Sequence, residues 1–337
     1  MRFRTAARVL ASGQLGALLS LQRALPPYYR VCFLAAAASC GLLRRLAAGP
    51  LSLERLADGM VADGGPTEGL AAWLDFGVVL GVLRHETAGY ALRGRLARAL
   101  AGADADAVAA LVEEAGTLHH QWITAAPARL RDARPFSLHD LPGDLIARSS
   151  RTVEPFVREA VEDIVPARGL VRLFEIGCGT GIHVRHAADR NPELTAVGID
   201  LAADVVATAR ENIRRWGLAA RVHIELSDVR ERPATGDCDI ATLHNNIYYF
   251  PVAERASLLS HVRDFLRPGG SLLVTTACRG GSVMTEILNL WGALTAGCGR
   301  LPDRDEMTAQ LRAAGFSGVR VRRLIPGERF FGFLASR

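Results

Sequence analysis

Lysine is absent: all 40 basic residues are arginine, set against 35 acidic ones for a net charge of +5 and a pI near 9.1. This pattern looks like GC-rich coding and not like a nucleic-acid footprint. Cysteine is sparse and unpaired in pattern. Cys32, Cys40, Cys178, Cys238, Cys278 and Cys298 form no Cys-x-x-Cys pair and have no histidine at ligand spacing. Neither a metal site nor a disulfide framework is expected, and a reducing cytoplasm fits. No run of eighteen apolar residues occurs, which excludes a spanning helix, while 49% hydrophobic and 22% charged residues exclude disorder. A soluble globular protein is expected. At 337 residues it has room for two domains, 1–150 and 151–337.

Residues 1–53 hold seven arginines and no acid, with an apolar run from Val31 to Ala38. Pro26-Pro27-Tyr28-Tyr29-Arg30 interrupts any secretory pattern, so we read a mostly helical arm without stable membrane insertion. Surface attachment to a membrane is the minor alternative. Gly49-Pro50 ends a helix from Val31 to Ala48, Ser52 caps a short second helix, and Thr67 caps a third over Glu68–Leu80. A small hairpin follows around Glu86–Gly89, completing a winged-helix pattern. DNA reading by the third helix is disfavoured, because it carries no arginine and is built from Leu70, Trp73, Leu74, Phe76, Val78 and Val79. Residues 103–165 read as linking helices broken at Pro127, Pro135 and Pro142, with His119 and His120 on a surface or lid.

From Leu170 strands and helices alternate, as in a parallel sheet wound on both sides. Strands are expected at 171–176, 195–200, 221–226, 238–243 and 271–276, and helices at 182–190, 203–215 and 252–266. Ligands in such sheets bind beyond the carboxyl ends of the strands. The first strand runs into Glu175-Ile176-Gly177-Cys178-Gly179-Thr180-Gly181, where alternate glycines permit positive φ and close approach of a ligand to the backbone. The second closes on Asp200-Leu201, with the carboxylate placed for a ribose diol. Ile182 stands where a dinucleotide fingerprint needs a small residue, which disfavours NAD.

These residues resemble the class I S-adenosylmethionine-dependent methyltransferases, whose first motif runs Glu-x-Gly-x-Gly-x-Gly with an acid closing the second strand. Arg267-Pro268-Gly269-Gly270-Ser271 matches that family's turn into its fifth strand, and Leu294–Glu306 resembles a glycine-arginine segment of bacterial natural-product O-methyltransferases. The resemblance implies a Rossmann-like, doubly wound, seven-stranded α/β sheet, with a helical, winged-helix-like N-terminal domain for dimerisation and substrate closure. It implies S-adenosylmethionine as cofactor, held by Glu175, Gly177, Cys178, Gly179, Gly181, Asp200, Leu201, Asp228, Val229 and Leu243. Asp228 matches the acceptor for the adenine amino group, with Val229 packing on the ring.

Histidine in the family's Leu-His-Asp-Trp run serves as general base; here the run is Leu243-His244-Asn245-Asn246, so His244 is the catalytic candidate. Asn245 replaces the acid, and Thr275-Thr276 stands where the family places an orienting carboxylate. Asn245, Asn246, Tyr248, Tyr249 and Trp291 are candidate acceptor contacts. Arg300 and Arg304 are read as a solvated face. The expected reaction is O-methylation of a small secondary-metabolite acceptor by a homodimer that binds no nucleic acid. C- or N-methylation of a molecule such as a 2-oxo acid is the alternative, and a non-enzymatic cofactor-binding regulator the third reading.

Overall fold

The computed structural model describes residues 11–337, so the first ten residues of the basic arm lie outside the described residues. Two compact units divide the chain. One runs up to Gln121 and takes in Asp144–Thr152; the other holds Trp122–Gly143 and Val153–Arg337.

The first unit is helical, with α1 (Gln14–Ser39), α2 (Leu42–Arg45), α3 (Leu53–Ala57), α4 (Glu68–Val79), α5 (Arg95–Leu100) and α6 (Asp106–Glu114). A hairpin of β1 (Leu83–Glu86) and β2 (Gly89–Leu92) pairs antiparallel between α4 and α5. Phe33, Leu34, Leu42, Leu56, Leu74 and Leu83 make its core. Helix α1 corrects the expected helix from Val31 to Ala48: it begins at Gln14, runs through Pro26 and Pro27 and stops at Cys40-Gly41. The carbonyls that lose their N–H partners there lie on an exposed stretch, where water can satisfy them. Gly41, at φ +78°, supplies the left-handed turn that ends the helix.

Ser52 accepts from the Arg55 N–H at 3.4 Å as a cap should. Thr67 makes no side-chain cap bond, because its φ of −82° and ψ of −8° are already helical. Helix α4 buries one face only, through Leu74 and Gly77, while Phe76 and Val79 are exposed. A π-turn at Ala115–His119 leads into α7 (His120–Arg131), which continues through Pro127 instead of breaking there. His119 is buried against Glu114 at 3.3 Å, whereas exposed His120 meets the Tyr28 hydroxyl at 3.2 Å. Arg148 on α8 (Gly143–Ser150) grips Asp106 at 3.0 and 3.2 Å, which ties this late segment to the first unit.

In the second unit Phe136 exchanges backbone hydrogen bonds with Leu294 and Ala296 at 2.8 and 2.9 Å. After α9 (Glu154–Ile164) come β3 (Val171–Ile176), α10 (Ile182–Arg190), β4 (Leu194–Asp200), α11 (Ala203–Arg215) and β5 (Val222–Leu226). The chain continues with β6 (Cys238–His244), α12 (Arg255–Phe265), β7 (Leu266–Ala277), α13 (Val283–Leu294), α14 (Arg304–Ala313), β8 (Ser317–Arg323) and β9 (Phe330–Ser336). The seven strands lie in the order β5-β4-β3-β6-β7-β9-β8. Pairs from β5 to β7 are parallel, and β9 runs antiparallel to both its neighbours. This is the seven-stranded, doubly wound α/β sheet that the resemblance implies.

Side chains alternate across the sheet, so Phe174, Ile176, Ala241, Leu243, Leu272, Val274 and Phe333 share one face and pack with Leu259 and Phe265 of α12. The intervening residues, Glu175, Thr242, His244 and Thr275, share the other. Strand β7 starts five residues earlier than expected, because Leu266 already pairs with Cys238 before a register shift absorbs the Pro-Gly-Gly turn. Gly270 is required there: a Cβ would stand 3.0–3.1 Å from three carbonyl oxygens. Exposed arginines 320, 322 and 323 guard the edge strand β8.

Candidate cofactor and active site

Between β3 and α10 the chain turns through Gly177, Gly179 and Gly181 with φ of +66°, +54° and +81°. A Cβ on Gly177 would lie 2.2 Å from Asn246 Nδ2, while the Cβ position of Gly179 is open. The first glycine is therefore demanded by packing as well as by conformation, the second by conformation. Asn246 Nδ2 donates to the Ile176 carbonyl at 2.7 Å, so this side chain supports the turn. The Cys178 side chain is buried against Gly198, leaving its backbone to face the turn, and burial pushes its thiol pKa up.

Asp200 closes β4 as expected. Its Oδ2 accepts from the Gly179 N–H at 3.0 Å and its Oδ1 from the Ala202 N–H at 3.1 Å. A carboxylate offers about four acceptor positions, so roughly two remain for a diol. Leu201 beside it is 59% exposed, an apolar shelf at the strand end. Glu175 is buried under the turn with neither carboxylate oxygen partnered. Burial first, and the Asp200 charge second, raise its pKa well above the ordinary carboxylate range. Positive-φ glycines, spare acceptor positions on Asp200 and a buried, unpartnered acid fit a ribose-bearing cofactor.

Asp228 follows β5 but is engaged. The Arg230 guanidinium reaches it at 2.6–3.0 Å and holds its pKa below the usual carboxylate range, the hydrogen bonds being the largest cause. Val229 and Leu243 turn their side chains into the core cluster with Ile176, so they meet the site by backbone only. Leu243 does so because its neighbour His244 takes the other face of β6.

His244 is the last residue of β6, not the first residue after it. Its Nδ1 lies 2.9 Å from Thr275 Oγ1, and its Nε2 is buried without a partner. Thr275 is thus the side-chain partner of the Nδ1 edge. The His183 ring stands edge-on to His244 at 4.8 Å between centroids, and His186 follows at 6.2 Å with its Nε2 3.1 Å from Glu154. Burial, then the neighbouring His183 and His186, push the His244 pKa well below its ordinary value; burial brings His183 to about 3. Both rings are neutral near pH 7. His183 and His186 escaped the sequence reading, although their i, i+3 spacing just after the glycine turn puts them on one helix face.

Asn245 adopts φ +53°, donates its N–H to the Thr275 carbonyl at 2.6 Å and leaves Oδ1 buried without a partner. The next turn presents Tyr248 and half-buried Tyr249, which meet Trp291 nearly at right angles, 6.2 and 5.6 Å between centroids. Trp122 lies 5.7 Å from Trp291 between ring centroids. Arg255, missed in the sequence, is fully buried and bonds the Phe250 and Arg300 carbonyls at 3.1 and 2.7 Å, holding two loops together. Burial lowers its pKa to about 10. Arg300 is neutralised by Glu306 at 2.7 and 2.9 Å, and Arg304 pairs with Asp305. Among the described residues no cluster of three or more metal-ligating side chains occurs, and no helix is long and apolar enough to cross a membrane.

Residues 173–270 match a family described as a methyltransferase domain. The chain is 26% identical over 215 residues to the ubiquinone/menaquinone biosynthesis C-methyltransferase of Dinoroseobacter shibae, covering 57% of this chain and 83% of that one. It is 26% identical over 181 residues to the demethylspheroidene O-methyltransferase of Rhodobacter capsulatus, covering 52% of this chain but less than half, 44%, of that one. Human N-acetylserotonin methyltransferase, solved in complex with S-adenosylmethionine, superposes with a TM-score of 0.73 at 19% identity, covering 95% of this chain and 97% of that one. Glycine turn, strand-end acid, sheet order and family match agree: residues 173–270 form a methyltransferase domain of the class I, S-adenosylmethionine-dependent type.

Proposed function

We propose that this protein transfers a methyl group from S-adenosylmethionine to an oxygen of a small-molecule acceptor of the secondary-metabolite kind, with His244 as general base. One observation carries the reading: Nδ1 of His244 is committed to Thr275 while Nε2 has no partner. With Nδ1–H donating to the threonine oxygen, the Nε2 lone pair remains free to accept a proton. Burial keeps the ring neutral, which a base must be before it acts.

When bound, S-adenosylmethionine supplies a methyl group activated on a sulfonium. The glycine turn and Asp200 hold its nucleoside, and Asp228 accepts from the adenine amino group. Asn245, Tyr248, Tyr249 and Trp291 line the acceptor side and exclude water, as an in-line displacement requires. The protein acts in the cytoplasm as a homodimer, which the exposed Leu18, Leu21 and Val79 of the first unit support.

Incubating candidate phenols, alcohols and oxo acids with methyl-labelled cofactor, then locating the label by mass and NMR, tests both acceptor and atom. Label on carbon would favour the chemistry named for the Dinoroseobacter relative. His244→Ala should abolish turnover while leaving cofactor affinity unchanged; unchanged turnover would remove His244 as base.

A further inference from the structure

Arg230 takes up most of the acceptor capacity of Asp228. Oδ1 accepts from the Arg230 backbone N–H at 2.9 Å and from its Nε at 3.0 Å; Oδ2 accepts from Nε at 2.9 Å and from Nη2 at 2.6 Å. The single Nε–H is shared between both oxygens, so three N–H groups take up most of the about four acceptor positions a carboxylate offers. The same planar group lies 5.9 Å from the centroid of the Phe250 ring. A flat group with an N–H edge on the acid and an aromatic ring nearby is what an aminopurine would present at this strand end.

We propose that Arg230 is an internal competitor for the adenine subsite, a residue that sets cofactor and product affinity by having to leave Asp228 before the nucleoside can bind. The proposal rests on Asp228 being the acceptor of the adenine amino group. Asp228 has a side chain only 13% exposed, so it does not readily exchange Arg230 for water; Arg230 is 50% exposed and free to swing outward. Such a half-exposed ion pair is worth little in stability, so its effect belongs to binding. No covalent step is involved. One consequence is faster loss of the demethylated product, since the guanidinium returns to the acid as the purine leaves.

The test is calorimetric titration with S-adenosylhomocysteine, whose sulfur carries no charge, so that removing an arginine does not simply favour a cationic ligand. Arg230→Ala should tighten binding about two- to fivefold, the range such a pair controls. The gain should vanish with S-inosylhomocysteine, whose 6-oxo group cannot donate to Asp228. Unchanged or weaker binding by Arg230→Ala, or an equal gain with both ligands, would overturn the proposal. Asp228→Ala separates the two readings. If it leaves S-adenosylhomocysteine binding intact, the adenine assignment itself fails and takes the competitor with it. If it weakens binding while Arg230→Ala gives no gain, only the competitor fails.

Discussion

Asn246 and Gly177 interlock: the amide of the asparagine occupies the space a Cβ on the glycine would need, 2.2 Å from Nδ2, and hydrogen-bonds the carbonyl just before that glycine at 2.7 Å. The end of β6 thereby shapes the cofactor turn at the end of β3.

Replacing Gly177 with alanine should damage both stability and binding. A left-handed φ costs a residue with a Cβ about 1–2 kcal/mol, and displacing the Asn246 amide sacrifices about 1 kcal/mol more. We expect ~2–3 kcal/mol of destabilisation in urea unfolding and a large loss of S-adenosylmethionine affinity by titration. Asn246→Ala should weaken cofactor binding without touching any group on the ligand; equal affinity in that variant would show that the turn stands unaided.

Thr275→Val keeps the shape beside His244 and removes its hydrogen-bond partner. Stability should fall by about 1–3 kcal/mol, the cost of leaving a buried polar atom unpaired. Ring-nitrogen NMR should show a changed tautomer balance for His244, and turnover should drop with little change in KM. Thr275→Ser should restore both signals.

Acid should unfold the protein earlier than its surface charges suggest. For His183 and His244 the folded pKa lies below the unfolded value, so their stabilising contribution is full above about pH 6.5 and is lost as pH falls towards the folded pKa. Glu175 has the opposite sign: its folded pKa is raised, so it favours folding as pH falls towards about 4.3. Each group contributes about 1.4 kcal/mol per pH unit in its window. The histidines outweigh the one acid, so stability should fall as pH drops below about 6.5. Urea melts across that range measure the slope. His183→Phe should flatten it by about 1.4 kcal/mol per unit, and a slope unaltered by that change would contradict the buried neutral ring.

Asp303 caps α14 in a reciprocal box: its carboxylate accepts from the Asp305 N–H at 2.9 Å while Glu306 accepts from the Asp303 N–H at 3.2 Å. Asp303 also receives Arg329 at 3.1 Å. Asp303→Ala should cost ~1–2 kcal/mol in thermal or urea unfolding. Asp303→Asn, which keeps the cap but not the charge, should recover most of it.

Much of the second unit was legible because local rules and tertiary demands coincide there. Val171–Ile176 and Leu194–Asp200 are short, branched and buried on both faces, so their composition already specifies parallel strands. Gly177, Gly179 and Gly181 needed only backbone stereochemistry to be recognised. The segments before β3 were less legible. Pro127 reads as a break because a proline's lost donor is a local fact, whereas a helix's tolerance for that loss depends on its surroundings.

By itself, then, the sequence determined the alternation of strands and helices, the glycine turn and the acid closing β4, since each follows from side-chain period or backbone freedom over a few residues. Tertiary structure alone decided that Thr275, 31 residues away, partners His244; that Val229 and Leu243 face the core; and that Arg230 sits on Asp228. Those outcomes depend on which face of a strand a residue takes and which strand lies beside it. Register and packing fix both, and neither is encoded within any one stretch of the chain.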